Sequence, residues 1–173
     1  QNNIPYFRGD ENNVLSRYYE CAKEYRLDVI VRVTSDCPLI DPTLIKNGLH
    51  QYLTMADNNL YLSNTINRTY PRGFDFEIFS FSLLEEAFRF AVDLSDNEHV
   101  TPYIWKNKSG SVHTKQLTRS SDESKYRLTL DTPEDFELLK TLIEQYHADF
   151  LSGDEIINLM QIHPELSLIN QHI

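Results

Sequence analysis

The spacing of apolar positions changes period several times along the chain, and each change marks an element. From Val29 to Val33 every residue except Arg32 is β-branched, a run that reads as a buried strand. The run ends at Thr34-Ser35 and delivers a carboxylate, Asp36. Pro38 forbids continued sheet pairing, and Asp41-Pro42 places a capping side chain before a proline at a first helical position. A helix is expected from Pro42 to about Met55, burying Leu44, Ile45, Leu49 and Leu53. Upstream, Ile4 to Phe7 reads as a short strand closed by Gly9. Asp10 reads as the N-cap of a helix through Tyr25, with Val14, Tyr18, Cys21, Ala22 and Tyr25 on one face.

Downstream, Leu60 to Ser63 reads as a strand and Tyr70-Pro71-Arg72-Gly73 as a turn. Phe74, Phe76 and Ile78 then alternate with Asp75 and Glu77, the period of a strand with one polar face. Ser82-x-x-Glu85 and Ser95-x-x-Glu98 have the form of capping boxes, the first opening a helix to about Val92, the second the run Glu98 to Trp105. Val112 to Leu117 reads as a strand, and Tyr126, Leu128 and Leu130 alternate with polar neighbours. Thr132-Pro133 opens a helix to about Tyr146 that buries Phe136, Leu139, Ile143 and Tyr146. Ser152-x-x-Glu155 opens a last short helix carrying Ile156, Leu159 and Met160, followed by a tail. Strands alternating with helices of this length indicate one α/β layered domain over residues 1–173 with a mainly parallel sheet.

Charge narrows the function. Sixteen basic against 26 acidic residues give a net charge of -10, which argues against a nucleic-acid partner. A small anionic ligand then requires local basic groups or a divalent metal. Two cysteines, Cys21 and Cys37, suggest no disulfide framework and point to a reducing, cytoplasmic compartment. No apolar run approaches the roughly 20 residues that span a bilayer, so no membrane association is expected. Gln1 to Pro5 has no signal-peptide character, and the chain reads as one entered partway through.

Two strand-to-helix junctions share a grammar: Thr34-Ser35-Asp36-Cys37-Pro38 and Leu130-Asp131-Thr132-Pro133-Glu134-Asp135. Ligands of open parallel sheets bind just outside the carboxyl ends of strands. Asp36 and Asp131 converging there would make a hard oxygen site suited to Mg²⁺, which takes one or two carboxylates plus substrate phosphates. Spacing alone is met equally well by capping at these two positions, and favours capping at Asp41 and Asp135. Asp75 and Glu77 share a face that could reach a ligand, or that is simply solvated.

Five segments in order match one family: Arg8-Gly9-Asp10 through Val14-Leu15-Ser16-Arg17-Tyr18-Tyr19, Arg32-Val33-Thr34-Ser35-Asp36-Cys37-Pro38-Leu39-Ile40-Asp41-Pro42, Tyr70-Pro71-Arg72-Gly73-Phe74-Asp75-Phe76-Glu77, Glu98-His99-Val100-Thr101-Pro102-Tyr103, and Leu130 to Asp135. Together they resemble the spore-coat-polysaccharide cytidylyltransferases, relatives of the acylneuraminate and Kdo cytidylyltransferases. The resemblance implies a Rossmann-like nucleotidyltransferase fold and a reaction in which a sugar hydroxyl attacks CTP, giving a CMP-sugar and pyrophosphate. It implies Mg²⁺ on Asp36 and Asp131 as the catalytic pair, with Arg8, Arg17 and Asp36 at the nucleotide. Arg72, Asp75, Glu77 and His99 would then bind the acceptor, by family precedent an acidic sugar, in a homodimeric enzyme.

One departure from the family pattern stands out. The basic, glycine-containing loop that cradles the triphosphate in this family is absent, and only five glycines occur in the chain. The chain therefore reads as the C-terminal two-thirds of such an enzyme, expected to turn over little CTP by itself. A sheet cut in this way would expose an apolar edge and favour self-association. Two other readings compete: a glycosyltransferase with a nucleotide-sugar donor, whose usual Asp-x-Asp is here only Asp75-Phe76-Glu77, and a non-catalytic dimerising fragment.

Overall fold

A computed structural model describes residues 4–173, so Gln1 to Asn3, part of the segment read above for signal-peptide character, lie outside the described residues. The elements in chain order are α1 (Val14–Glu24), β1 (Val29–Arg32), α2 (Pro42–Met55), β2 (Leu60–Ser63), β3 (Glu77–Ser80), α3 (Phe81–Phe90), α4 (Leu94–His99), α5 (Pro102–Trp105), β4 (His113–Gln116), α6 (Pro133–Tyr146), α7 (Gly153–Ile162) and α8 (Pro164–Ser167). A 3-10 turn, Ala148–Phe150, separates α6 from α7.

The sheet order is β1-β3-β2-β4. Both β1 and β2 pair antiparallel with β3, while β2 pairs parallel with β4. Hence β1, β2 and β4 run in one direction and β3 runs against them between β1 and β2. The reversal follows from the link between β2 and β3, which contains no helix to carry the chain back across the sheet. Asn64 braces that link, donating from Nδ2 to the Phe74 carbonyl (2.7 Å) and accepting from the Phe76 N–H (3.1 Å).

Side-chain alternation divides the core between the sheet's two faces. Tyr61 and Phe79 pack with Leu15 of α1, Leu83 and Leu84 of α3 and Ile104 of α5 on one face. Leu60, Leu62, Phe76 and Ile78 pack on the other with Tyr52 of α2. Phe74 turns away into a third cluster with Leu39, Leu128, Leu138 and Ile156, where α6 and α7 close the end of the sheet. Each such buried Leu or Phe contributes about 1.5–3 kcal/mol.

Several local expectations are corrected. Ile4 to Phe7 is irregular, with no strand partner among the described residues. Asp10 forms a tight turn, accepting from the Asn12 N–H (2.8 Å), and Asn13 caps α1 instead. Ser80, two residues before Ser82, caps α3 by accepting from the Leu83 N–H. The second serine box is not formed: Asp93 stands at the N-cap of α4, and Val100 at φ +70° separates α4 from α5. Leu53 of α2 and Phe136 of α6 are more than half exposed, whereas the rest of each expected stripe packs inward: Leu44, Ile45 and Leu49 beside Tyr52 in α2, and Leu139, Ile143 and Tyr146 beside Leu138 and Leu142 in α6. Tyr126 to Leu130 forms no regular strand; it makes an isolated parallel bridge, Arg72 with Arg127, outside the four-stranded sheet.

Candidate functional site

The site lies where β1 ends. Two successive backbone turns, Cys37 N–H to the Thr34 carbonyl and Ile40 N–H to the Cys37 carbonyl, carry the chain from the strand to the cap of α2. Asp41 serves two helices at once, accepting from the Thr43 N–H of α2 (2.7 Å) and the Gly153 N–H of α7 (2.9 Å). Asp36 is left at the crest of the first turn.

The second junction is drawn to the first by hydrogen bonds. The Leu130 N–H donates to the Asp36 carbonyl (2.8 Å). Thr129 Oγ1 donates to the Asp36 carboxylate (3.1 Å) and lies 3.2 Å from its carbonyl. Asp131 is the next residue after Leu130, so both junction acids share one ledge. Burial pushes the Asp36 carboxyl up, but bonds from Thr34, its own backbone N–H, Thr129 and Cys37 outweigh it and hold the group below its usual value. The Cys37 thiol beside it is buried and unbonded to the other cysteine. Burial raises it, and the charges of Asp36 and Asp75 add to the rise despite a bond with Thr34, so it stays a neutral thiol.

Asp131 is exposed, and its Oδ2 accepts from Arg127 Nη2 at 2.7 Å. The same guanidinium holds Asp135, whose side chain is wholly buried, through Nε (2.9 Å) and Nη2 (2.8 Å). Asp135 also closes the capping box of α6 with Thr132. Burial opposes its charge, but Arg127, Asn170 and the Asp131 N–H together hold its carboxyl far below the ordinary range.

Beside the ledge, a cleft of about 160 Å³ opens between the ends of β1 and β2 and the start of β3, lined by Arg32, Thr34, Thr65, Asp75 and Glu77 among others. Asp75 is paired with Arg68, which contacts both of its oxygens. Glu77 is buried and accepts from Tyr61 Oη (2.5 Å), Thr101 Oγ1 (2.7 Å) and Arg32. Its face is therefore an internal ion pair rather than the solvated strand face that alternation also allowed. Arg72 sits exposed at the tip of its turn, its backbone bonded to Tyr126 and Leu128, and it has no ion-pair partner among the described residues. Gly73, at φ +105°, lets that turn approach the Leu128 backbone.

The remaining candidates lie apart from the ledge. Exposed Arg8 places its guanidinium 5.4 Å from the Tyr6 ring. Arg17, against Gly9, lines a separate groove of about 370 Å³ with Phe7, Tyr18 and Val31 along the outer edge of β1. His99 ends α4 on the surface, and its nearest acid is Glu98 at 4.0 Å. It approaches the cleft only through Thr101, the residue of that motif that contacts Glu77. Thr101, Thr129, Arg127 and Asn170 were not singled out from the sequence; their signals are tertiary, apart from the Thr-Pro step at Thr101.

Comparison with known proteins places this geometry. A family model described as cytidylyltransferase matches residues 3–157. The chain is 36% identical over 170 residues to an uncharacterized protein of Methanocaldococcus jannaschii, covering 96% of this chain and 67% of that one. It is 29% identical over 164 residues to the spore coat polysaccharide biosynthesis protein SpsF of Bacillus subtilis, covering 92% of this chain and 65% of that one. The structure of a cytidylyltransferase from Leptospira borgpetersenii serovar Hardjo-bovis superposes with a TM-score of 0.89 at 36% identity, covering 95% of this chain and 69% of that one. The chain thus spans about two-thirds of the length of each relative. Sequence and fold agree: the chain has a Rossmann-like nucleotidyltransferase fold and belongs to the cytidylyltransferase family.

Proposed function

We propose that this chain carries the metal-binding ledge and the acceptor cleft of an Mg²⁺-dependent cytidylyltransferase. A sugar hydroxyl attacks the α-phosphorus of CTP, the bond to the pyrophosphate leaving group breaks, and a CMP-sugar and pyrophosphate are released. The observation that carries the reading is the joining of the two acid-bearing junctions through Thr129 and Leu130 at Asp36.

The donor chemistry fits Mg²⁺. Among the described residues no group of three or more His, Cys, Asp or Glu is arranged to hold a metal, so a fully protein-ligated ion is not supported. Two hard carboxylates, with phosphate oxygens completing the shell, are what Mg²⁺ accepts. Asp36 and Asp131 would hold it, and Asp36 is kept ionised for that task. When bound, Mg²⁺ neutralises triphosphate charge and polarises the phosphorus under attack.

The chain's own side chains bind and orient. The Arg32–Glu77 and Arg68–Asp75 pairs give the cleft fixed polar walls against which sugar hydroxyls can be held. Arg72, exposed and unpaired among the described residues, offers a cation for the carboxylate of an acidic sugar. Arg8 and Arg17 supply positive charge for the nucleotide phosphates, and His99 stands at the outer rim of the acceptor side. By kinship with the spore coat polysaccharide protein, the product feeds surface polysaccharide synthesis. We place the protein in the cytoplasm as a homodimer; among the described residues no helix is long and apolar enough to cross a membrane.

The test is pyrophosphate release from CTP, UTP, ATP and GTP with Mg²⁺ and a set of acidic sugars, for a form extended upstream by the triphosphate-cradling loop of the family and for its Asp36→Asn twin. Release from CTP alone, lost in the variant, is expected. Cleavage of a UDP- or GDP-sugar with no use of CTP would replace this reading by a glycosyltransferase.

A further inference from the structure

The family match ends at residue 157, yet a residue beyond it reaches the back of the ledge. Asn170 is 2% exposed, and its Nδ2 donates to Asp135 Oδ1 (2.8 Å) and to the Arg127 carbonyl (3.0 Å). Both partners are acceptors, which fixes the amide with its nitrogen inward.

We propose that Asn170 is a positioning residue for Asp131: it locks the Arg127–Asp135 pair that in turn fixes the Asp131 carboxylate. The inference rests on the reading of Asp131 as a metal ligand. Asp135 accepts from five donors: Arg127 Nε, Arg127 Nη2, the Asp131 N–H (3.0 Å), the Thr132 N–H (3.1 Å) and Asn170 Nδ2. Three of these tie it to the Asp131 region, and Arg127 Nη2 is shared between both carboxylates.

The charge count gives the arrangement its purpose. Arg127 alone beside Asp131 would cancel the charge that attracts a cation. With Asp135 as its buried counter-ion, the triad of one cation and two anions keeps a net negative charge at the exposed member. That balance requires Arg127 to stay on Asp135, and Asn170 pins both, one through its carboxylate and the other through its main chain. Asp131 Oδ1 has no hydrogen-bond partner among the described residues and remains open to a ligand. Outer partners of this kind change metal affinity by about 10- to 100-fold when removed.

Mn²⁺ binding in the presence of saturating CMP, which supplies the phosphate oxygens of the shell, followed by electron paramagnetic resonance, tests the inference on the full chain without requiring turnover. The wild type is expected to bind one ion and Asp131→Asn to lose it. Asn170→Ala and Asn170→Leu, the latter keeping the side-chain volume, are expected to weaken binding by about tenfold. Leu166→Ala loosens the same segment through its buried contact in the α6–α7 cluster and is expected to lower the melting temperature without changing Mn²⁺ affinity. Wild-type affinity in both Asn170 variants, with Asp131→Asn still defective, would make Asn170 a tether only and leave the metal reading standing. An equal loss in Leu166→Ala would overturn the positioning role as well. Absence of binding in the wild type, or its survival in Asp131→Asn, would remove the metal reading and this inference with it.

Discussion

Thr129 Oγ1 donates to the carboxylate of Asp36 at 3.1 Å, across 93 residues of sequence. This bond ties the end of β1 to the start of α6. Thr129→Val keeps the shape and removes the donor. It is expected to cost about 1 kcal/mol of stability, read by urea denaturation. It should also raise the Asp36 carboxyl toward the ordinary value of about 3.9, read by carboxyl NMR titration.

Both depressed carboxyls, Asp36 and Asp135, give the fold the same acid dependence. A lowered folded-state value means stability is fully present above the unfolded value of about 3.9 and is lost as pH falls toward the folded one. The melting temperature should therefore respond little to these two groups above about pH 5 and decline below about pH 4. In Asp135→Asn that decline should be shallower. The variant itself should lose about 3 kcal/mol at pH 7, because Arg127 is left with one bond partner fewer in a buried setting.

Glu77 joins three strands and the start of α5 through Arg32, Tyr61 and Thr101. Glu77→Gln preserves the shape but leaves the Arg32 charge uncompensated, at an expected cost of about 3 kcal/mol in denaturant titration. Tyr61→Phe removes one neutral donor to the same carboxylate and should cost about 1.5–3 kcal/mol. Burial, reinforced by the Glu77 charge, raises the Tyr61 phenol far above its ordinary value, so Tyr61 should remain silent in ultraviolet titration until the protein unfolds in alkali.

Gly73→Ala is expected to destabilise by more than about 1 kcal/mol, since φ there is +105° and an added Cβ would meet the Leu128 backbone at 2.5 Å. The displaced turn would carry Arg72 with it. Acceptor-sugar binding, measured by calorimetry, should weaken more than nucleotide binding.

Legibility in the sequence followed the range of the forces involved. The limits of α2 and the starts of α6 and α7 were readable because Asp41-Pro42, Thr132-Pro133 and Ser152-x-x-Glu155 act within one turn of helix. The cap of α3 was misplaced by two residues because Ser80 and Ser82 offer the same hydroxyl and only strand pairing at Ser80 decides between them. Leu53 and Phe136 were expected inside because each continues the spacing of a stripe that packs inward, and how far that stripe is covered rests with the neighbouring elements. Each, changed to Ser, should alter stability by no more than about 0.5 kcal/mol. Asp36 and Asp131 could be named from the junction grammar and the family motifs, but the joining of their junctions through Thr129 and Leu130 and the contacts of Asn170 with Arg127 and Asp135 link residues far apart in the chain.

The central claim is that the two junction acids form one cation site. A crystal of the chain grown with CMP and Mn²⁺, with anomalous data collected at the manganese edge, tests it most directly. The account predicts one anomalous peak at coordination distance from a carboxylate oxygen of both Asp36 and Asp131, about 2.0–2.1 Å for Mg²⁺ and slightly longer for Mn²⁺. A peak held by only one of them, or no peak at the ledge while CMP is bound, would contradict it.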